Sequence, residues 1–178
     1  MKQNIPTKWF KISVLPNDKP SDVTRKLVEK GIDLSLLPYS VYVIRLSGSF
    51  TIDYKNGPSP TLYIGEGKFR GRLNAHRKWL GRLHSVLEAT PLEVKFCFPR
   101  TIDGTPANRE LEAHLLTAFK AKFLELPLQN MQKETPSKIL TFNSKSNGHV
   151  IGPGAGKKFL WALRPMKRNP FKYQKNDA

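Results

Sequence analysis

Two short runs of β-branched and aromatic residues, Val41-Tyr42-Val43-Ile44 and Leu62-Tyr63-Ile64-Gly65, constrain this chain more than any other feature. Both have the composition of strands, and the stretch between them, Ser47 to Pro60, is a Gly, Ser and Pro-containing connection. Paired strands over 41–46 and 61–64 are therefore expected. Leu92, Val94, Phe96 and Phe98 alternate with polar or small residues, which predicts a third, half-buried strand. Gly65-Glu66-Gly67 is read as a turn into a basic helix from about Phe69 to Leu80, with Phe69, Leu73 and Leu80 on one stripe. Thr105-Pro106 is expected to begin a further helix, on which Leu111, Leu115, Phe119 and Phe123 recur every four residues and pack on the sheet.

These segments make one α/β (α+β) unit, a small central antiparallel β-sheet flanked by helices. A chain of 178 residues can bury one real core but not two large ones. The core is expected over residues 41–130. Residues 1–40 read as an extension packing on it: a short strand within 8–15, then a helix opened by Pro20-Ser21-Asp22, with Val23, Leu27 and Val28 on one face and Gly31 as its stop. Residues 131–178 form a basic C-terminal extension, polar as far as residue 149 and then Gly-rich, with Phe159, Leu160, Trp161 and Leu163 its dense apolar group.

Thirty Lys and Arg against 14 Asp and Glu leave a formal charge of +16, which costs a compact chain self-repulsion and is most simply explained by a polyanionic partner. The charge is concentrated, with six basic and one acidic side chain in residues 61–82 and seven and one in residues 151–178. Lys68, Arg70, Arg77, Lys78, Lys157, Lys158, Arg164, Lys167 and Arg168 are the candidate nucleic-acid contacts, with Trp161 and Phe159 placed to stack on exposed bases. A single cysteine, Cys97, sits in an apolar run as a small core residue and excludes an intramolecular disulfide. The first residues lack the apolar run of a secretory signal and no stretch approaches membrane-spanning length, so cytoplasmic residence is the expectation and a membrane partner is not.

Residues suited to chemistry are placed just beyond the two tyrosines. Arg72 and His76 stand four apart on the basic helix; Arg72 offers a planar fork of donors to a phosphoryl oxygen, and His76 a hydrogen bond to a tyrosine or phosphate. Glu112 supplies a helical carboxylate, while Glu110, two residues earlier, points to another face and stands as its substitute. A base for water, a cation for phosphate charge and an acid to hold a metal are the parts that phosphodiester hydrolysis requires.

In this order, the Tyr-bearing strand pair, Arg72-Leu73-Asn74-Ala75-His76 and Leu111-Glu112-Ala113-His114-Leu115-Leu116 resemble the GIY-YIG nuclease superfamily over residues 41 to about 130. The connection from Ser47 to Pro60 is longer than that family's usual hairpin. The resemblance implies a metal-dependent endonuclease acting on DNA, double-stranded in the first instance and with RNA left open, of a restriction, mobile-element, repair or toxin-like kind. It implies Tyr42 as the leading general base and Tyr63 as its partner positioning water or phosphate. It further implies Glu112 as the ligand of Mg²⁺ or Mn²⁺, and Asn130 as the asparagine that comes after the glutamate helix. A phenol has an ordinary pKa near 10, so a base role needs nearby positive charge. The alternative from another class is a non-catalytic nucleic-acid- or ribosome-binding protein using the same basic surface.

Three other patterns carry less. Gly152 to Lys158 looks like a phosphate loop, but Ile151 stands where its first glycine belongs and Lys158 where Ser or Thr belongs. His76, His84, His114 and His149 lack zinc-ligand spacing. Glu93-Val94-Lys95 reads as a charged pair on the solvent side of a strand.

Overall fold

The computed structural model describes residues 3–15, 17–67, 69, 71–72, 90–131, 135–136, 140–153 and 158–164. At its centre is a four-stranded sheet in the order β2-β7-β3-β6, from Phe10–Val14 (β2), Leu92–Cys97 (β7), Val41–Leu46 (β3) and Thr61–Glu66 (β6). Every pairing in it is antiparallel. Strand β3 is buried at all six residues, because it has a strand on each side and cover on each face. The edge strand β2 and its neighbour β7 alternate instead, as half-buried strands do. The fold is thus α+β, with helices flanking a mainly antiparallel sheet. The sheet crosses the boundary expected at residue 40, since β2 is hydrogen-bonded into it.

Helix α1 (Pro20–Glu29) begins with Pro at its first position, where no backbone N–H is missed, and Asp22 accepts from the Lys19 N–H at 2.8 Å. Val23 and Leu27 are buried, but Val28, expected on the same face, is 54% exposed. It lies about 100° round the helix from Leu27, beyond the width of the contact stripe. Gly31 ends the segment at φ +70°. A 3₁₀ segment, Leu34–Tyr39, then leads into β3.

The connection from Ser47 to Pro60 is not an irregular loop. It holds β4 (Phe50–Tyr54) and β5 (Gly57–Ser59), an antiparallel hairpin, with Pro58 tolerated because β5 is an edge strand. Strand β9 (Trp161–Leu163) pairs parallel with the other side of β4, completing a second sheet. Strand β6 runs on to Glu66, so Gly65 belongs to the strand rather than to the turn after it. Phe98 falls just past the end of β7 and is only partly buried.

Helix α2 (Asn108–Phe123) starts two residues after Pro106, which bridges to Arg100 instead of opening the helix. Leu111, Leu115, Phe119 and Phe123 are buried, as their four-residue spacing predicts, and the helix packs on β6 and β3. The C-terminal extension is built into the fold. Strand β8 (Leu140–Phe142) pairs parallel with β1 (Gln3–Ile5), and helix α3 (Ser144–Ile151) comes next. Arg45 on β3, 3% exposed, donates to the carbonyls of His149, Val150 and Gly152, capping the end of α3, and its Nε lies 3.5 Å from Glu93. Burial works against the Arg45 charge and lowers its pKa, while Glu93 opposes that shift. Among the described residues no helix is long and apolar enough to cross a membrane.

Candidate active site

The pairing of β3 with β6 sets Tyr42 opposite Gly65, and Tyr63, two residues back along β6, lies on the same face. Both phenols lean over the glycine: a Cβ on Gly65 would stand 2.9 Å from the Tyr42 and Tyr63 hydroxyl oxygens and 2.5 Å from Tyr63 Cε1. Only glycine leaves that space. The Tyr42 ring is held from behind, edge-on to Phe69 at 4.9 Å between centroids and tilted against Phe96 at 6.3 Å. Its centroid is 5.9 Å from that of Tyr63.

The two phenols differ in surroundings. Tyr42 is fully buried, and its hydroxyl faces Tyr63 without a well-oriented hydrogen bond among the described residues. Burial first, then the neighbouring Tyr63 phenol, push its pKa far above the ordinary value near 10; Arg72 pulls the other way. Tyr63 keeps 8% of its surface and accepts a hydrogen bond from Arg72 Nη1 at 3.0 Å. Burial disfavours the charge on Arg72, but the bond to Tyr63 and the nearby Tyr63, Tyr42 and Glu112 outweigh it and raise its pKa. Arg72 is therefore a permanent cation with one donor on a phenol and others facing outward.

Glu112 lies on the buried side of α2 at 6% exposure, close enough to act electrostatically on both Tyr42 and Arg72. Glu110 turns instead to the cleft that Arg72 also lines. Asn130 is close by but committed to the backbone: its Oδ1 accepts from the Ile64 N–H at 2.9 Å and its Nδ2 donates to the Ile64 carbonyl at 2.7 Å. With the Gln129 N–H donating to the Leu62 carbonyl at 3.0 Å, it closes the open edge of β6 and fixes the strand that carries Tyr63.

Tyr42, Tyr63, Arg72 and Glu112 thus come together, with Asn130 as a positioning residue beside them. His76 lies outside the described residues, as do Lys68, Arg70, Arg77, Lys78, Lys157, Lys167 and Arg168. Lys158 is exposed. Arg164, just past β9, is mostly exposed and pairs with Asp53 of β4 at 2.9 Å. Gly65, expected as a close-packed turn glycine, is instead the strand residue beneath both phenols, and Glu66, which sequence reasoning did not single out, accepts a hydrogen bond from Asn108 Nδ2.

Among the described residues no three His, Cys, Asp or Glu side chains gather as a metal cluster. The carboxylate in electrostatic reach of the phenols is Glu112, an oxygen donor of the kind that a hard divalent cation takes. Comparison with protein-family models, with curated proteins and with solved structures returns no match for this chain.

Proposed function

We propose that the chain is a metal-dependent endonuclease that hydrolyses phosphodiester bonds of DNA, in line with its resemblance to the GIY-YIG superfamily. The observation that carries this reading is the convergence over Gly65 of two phenols, one of them hydrogen-bonded to Arg72, with a buried glutamate in electrostatic reach.

In this reading the water oxygen bonds to phosphorus, the bridging P–O bond breaks, and the leaving oxygen gains a proton. Tyr63 is the better placed of the two phenols to orient the attacking water, whose proton passes by way of solvent to the leaving oxygen, because its oxygen is held by Arg72 and reaches the surface. Tyr42, the leading base on the resemblance, then backs Tyr63 from the interior. The outward donors of Arg72 hold the phosphoryl oxygens as their charge grows. Mg²⁺ or Mn²⁺, held by Glu112, would supply Lewis-acid stabilisation of the phosphate and the leaving oxygen. The net charge of +16 favours long-range attraction to the backbone, and the basic residues of the 61–82 and 151–178 segments are the proposed contacts.

Supercoiled plasmid nicking with and without Mg²⁺ tests the reading. Intact protein is expected to nick only with metal, while Tyr63→Phe, Arg72→Ala and Glu112→Ala lose about 10²-fold or more in rate with DNA binding retained. Tight, salt-sensitive binding by folded protein that never cuts DNA or RNA would instead make this a non-catalytic nucleic-acid-binding protein, the reading the charge alone supports.

A further inference from the structure

Resting on the nuclease reading, we infer that the cleft beside Arg72 is a subsite for one unpaired nucleotide next to the scissile phosphate. The cleft holds about 870 Å³ and is lined by Tyr39, Glu66, Arg72, Asn108, Arg109 and Glu110 among others. That volume lies within the range of about 300–1,000 Å³ typical of small-molecule sites. It opens from the guanidinium that, in the proposed mechanism, holds the phosphate, so whatever fills it is covalently next to the bond being cut.

The lining has the chemistry of a nucleotide's parts. Tyr39, at the end of the 3₁₀ segment, is 46% exposed, an aromatic ring left without cover at the rim, and offers a stacking face to a base. Glu66 and Asn108 are hydrogen-bonded to each other across the cleft, from the end of β6 to the start of α2. That bond leaves a carboxylate oxygen and the amide's carbonyl for the hydrogen-bonding edge of a base. Arg109 supplies a second cation for the flanking phosphate. Two glycines also line it, Gly67 at φ +77° and Gly71, and add no side chain to fill the space. A base paired and stacked within a duplex cannot enter such a concavity, so the occupant is a nucleotide already unpaired or drawn out of the stack.

The test is the fluorescence anisotropy of labelled oligonucleotide duplexes, titrated with the full chain in EDTA. One duplex is fully paired and another carries a single unpaired adenosine. Intact protein is expected to bind the second about tenfold more tightly; Tyr39→Ala should abolish that preference, and Tyr39→Phe should keep it. Equal binding of both duplexes by intact protein, or a preference undiminished in Tyr39→Ala, would overturn the subsite. The two failures are distinguishable: a Tyr39-dependent preference without any nicking overturns the nuclease reading and leaves the cleft as a binding site for an unpaired nucleotide, whereas nicking without a preference keeps the nuclease and overturns the subsite.

Discussion

At Gly65 a single methyl group decides whether the two phenols can meet. Tyr42 cannot swing clear of an added Cβ, because Phe69 and Phe96 pack against its ring. Gly65→Ala is therefore expected to push the phenols apart, lowering nicking by about 10²-fold while costing about 1–3 kcal/mol of stability by urea denaturation. Near-normal nicking by the folded variant would show that the phenols lie outside the reacting site. The tyrosines, Arg72 and Glu112 were legible in the sequence as residue types at suggestive spacings. Their convergence on one cleft was expected with them, but its geometry was not legible, because it depends on the Tyr42–Gly65 register and on the side of α2 that faces the sheet, both set by packing.

Among the elements, β6 is the one whose support is easiest to remove. Both Ile64 backbone groups depend on the Asn130 amide, so Asn130→Ala leaves a buried donor and acceptor unpaired. A loss of about 2 kcal/mol is expected, read as a Tm lower by about 4–8 °C. An unchanged Tm would mean that β6 needs no closing edge. Strands β3, β6 and β7 and helix α2 were legible because alternation and four-residue spacing are local signals. The hairpin of β4 and β5 was not. Its Gly57, Pro58 and Pro60 have loop composition, and it is completed by the distant β9, which no local pattern reveals.

Across the whole molecule, pH acts on stability through His114. The imidazole is half-buried on α2, its ring 5.4 Å from that of Phe142, and burial holds its pKa below the ordinary value near 6.5. As pH falls below about 6.5 the unfolded chain takes up the proton before the folded one. Stability is thus full above that value and declines towards the lowered folded pKa. His114→Gln should flatten the fall in Tm between about pH 7 and pH 5; an unaltered slope would assign that dependence to other groups. The surplus of positive charge was legible at this scale from composition alone, but the way the C-terminal segment ties into the core was not, since it works through backbone carbonyls that any sequence possesses.

Those carbonyls also set an order of events. A chain emerging from the ribosome has all four strands of the central sheet available soon after Cys97, and the Arg45 guanidinium, on the same strand as Tyr42, then has Glu93 beside it but not yet its carbonyl acceptors. Until then water serves its remaining donors, since a cation left in the interior with its donors unmet would be costly. His149, Val150 and Gly152 supply those acceptors, so the guanidinium exchanges water for protein carbonyls only when that segment has been made, and a later-made part of the chain seals the strand that carries Tyr42.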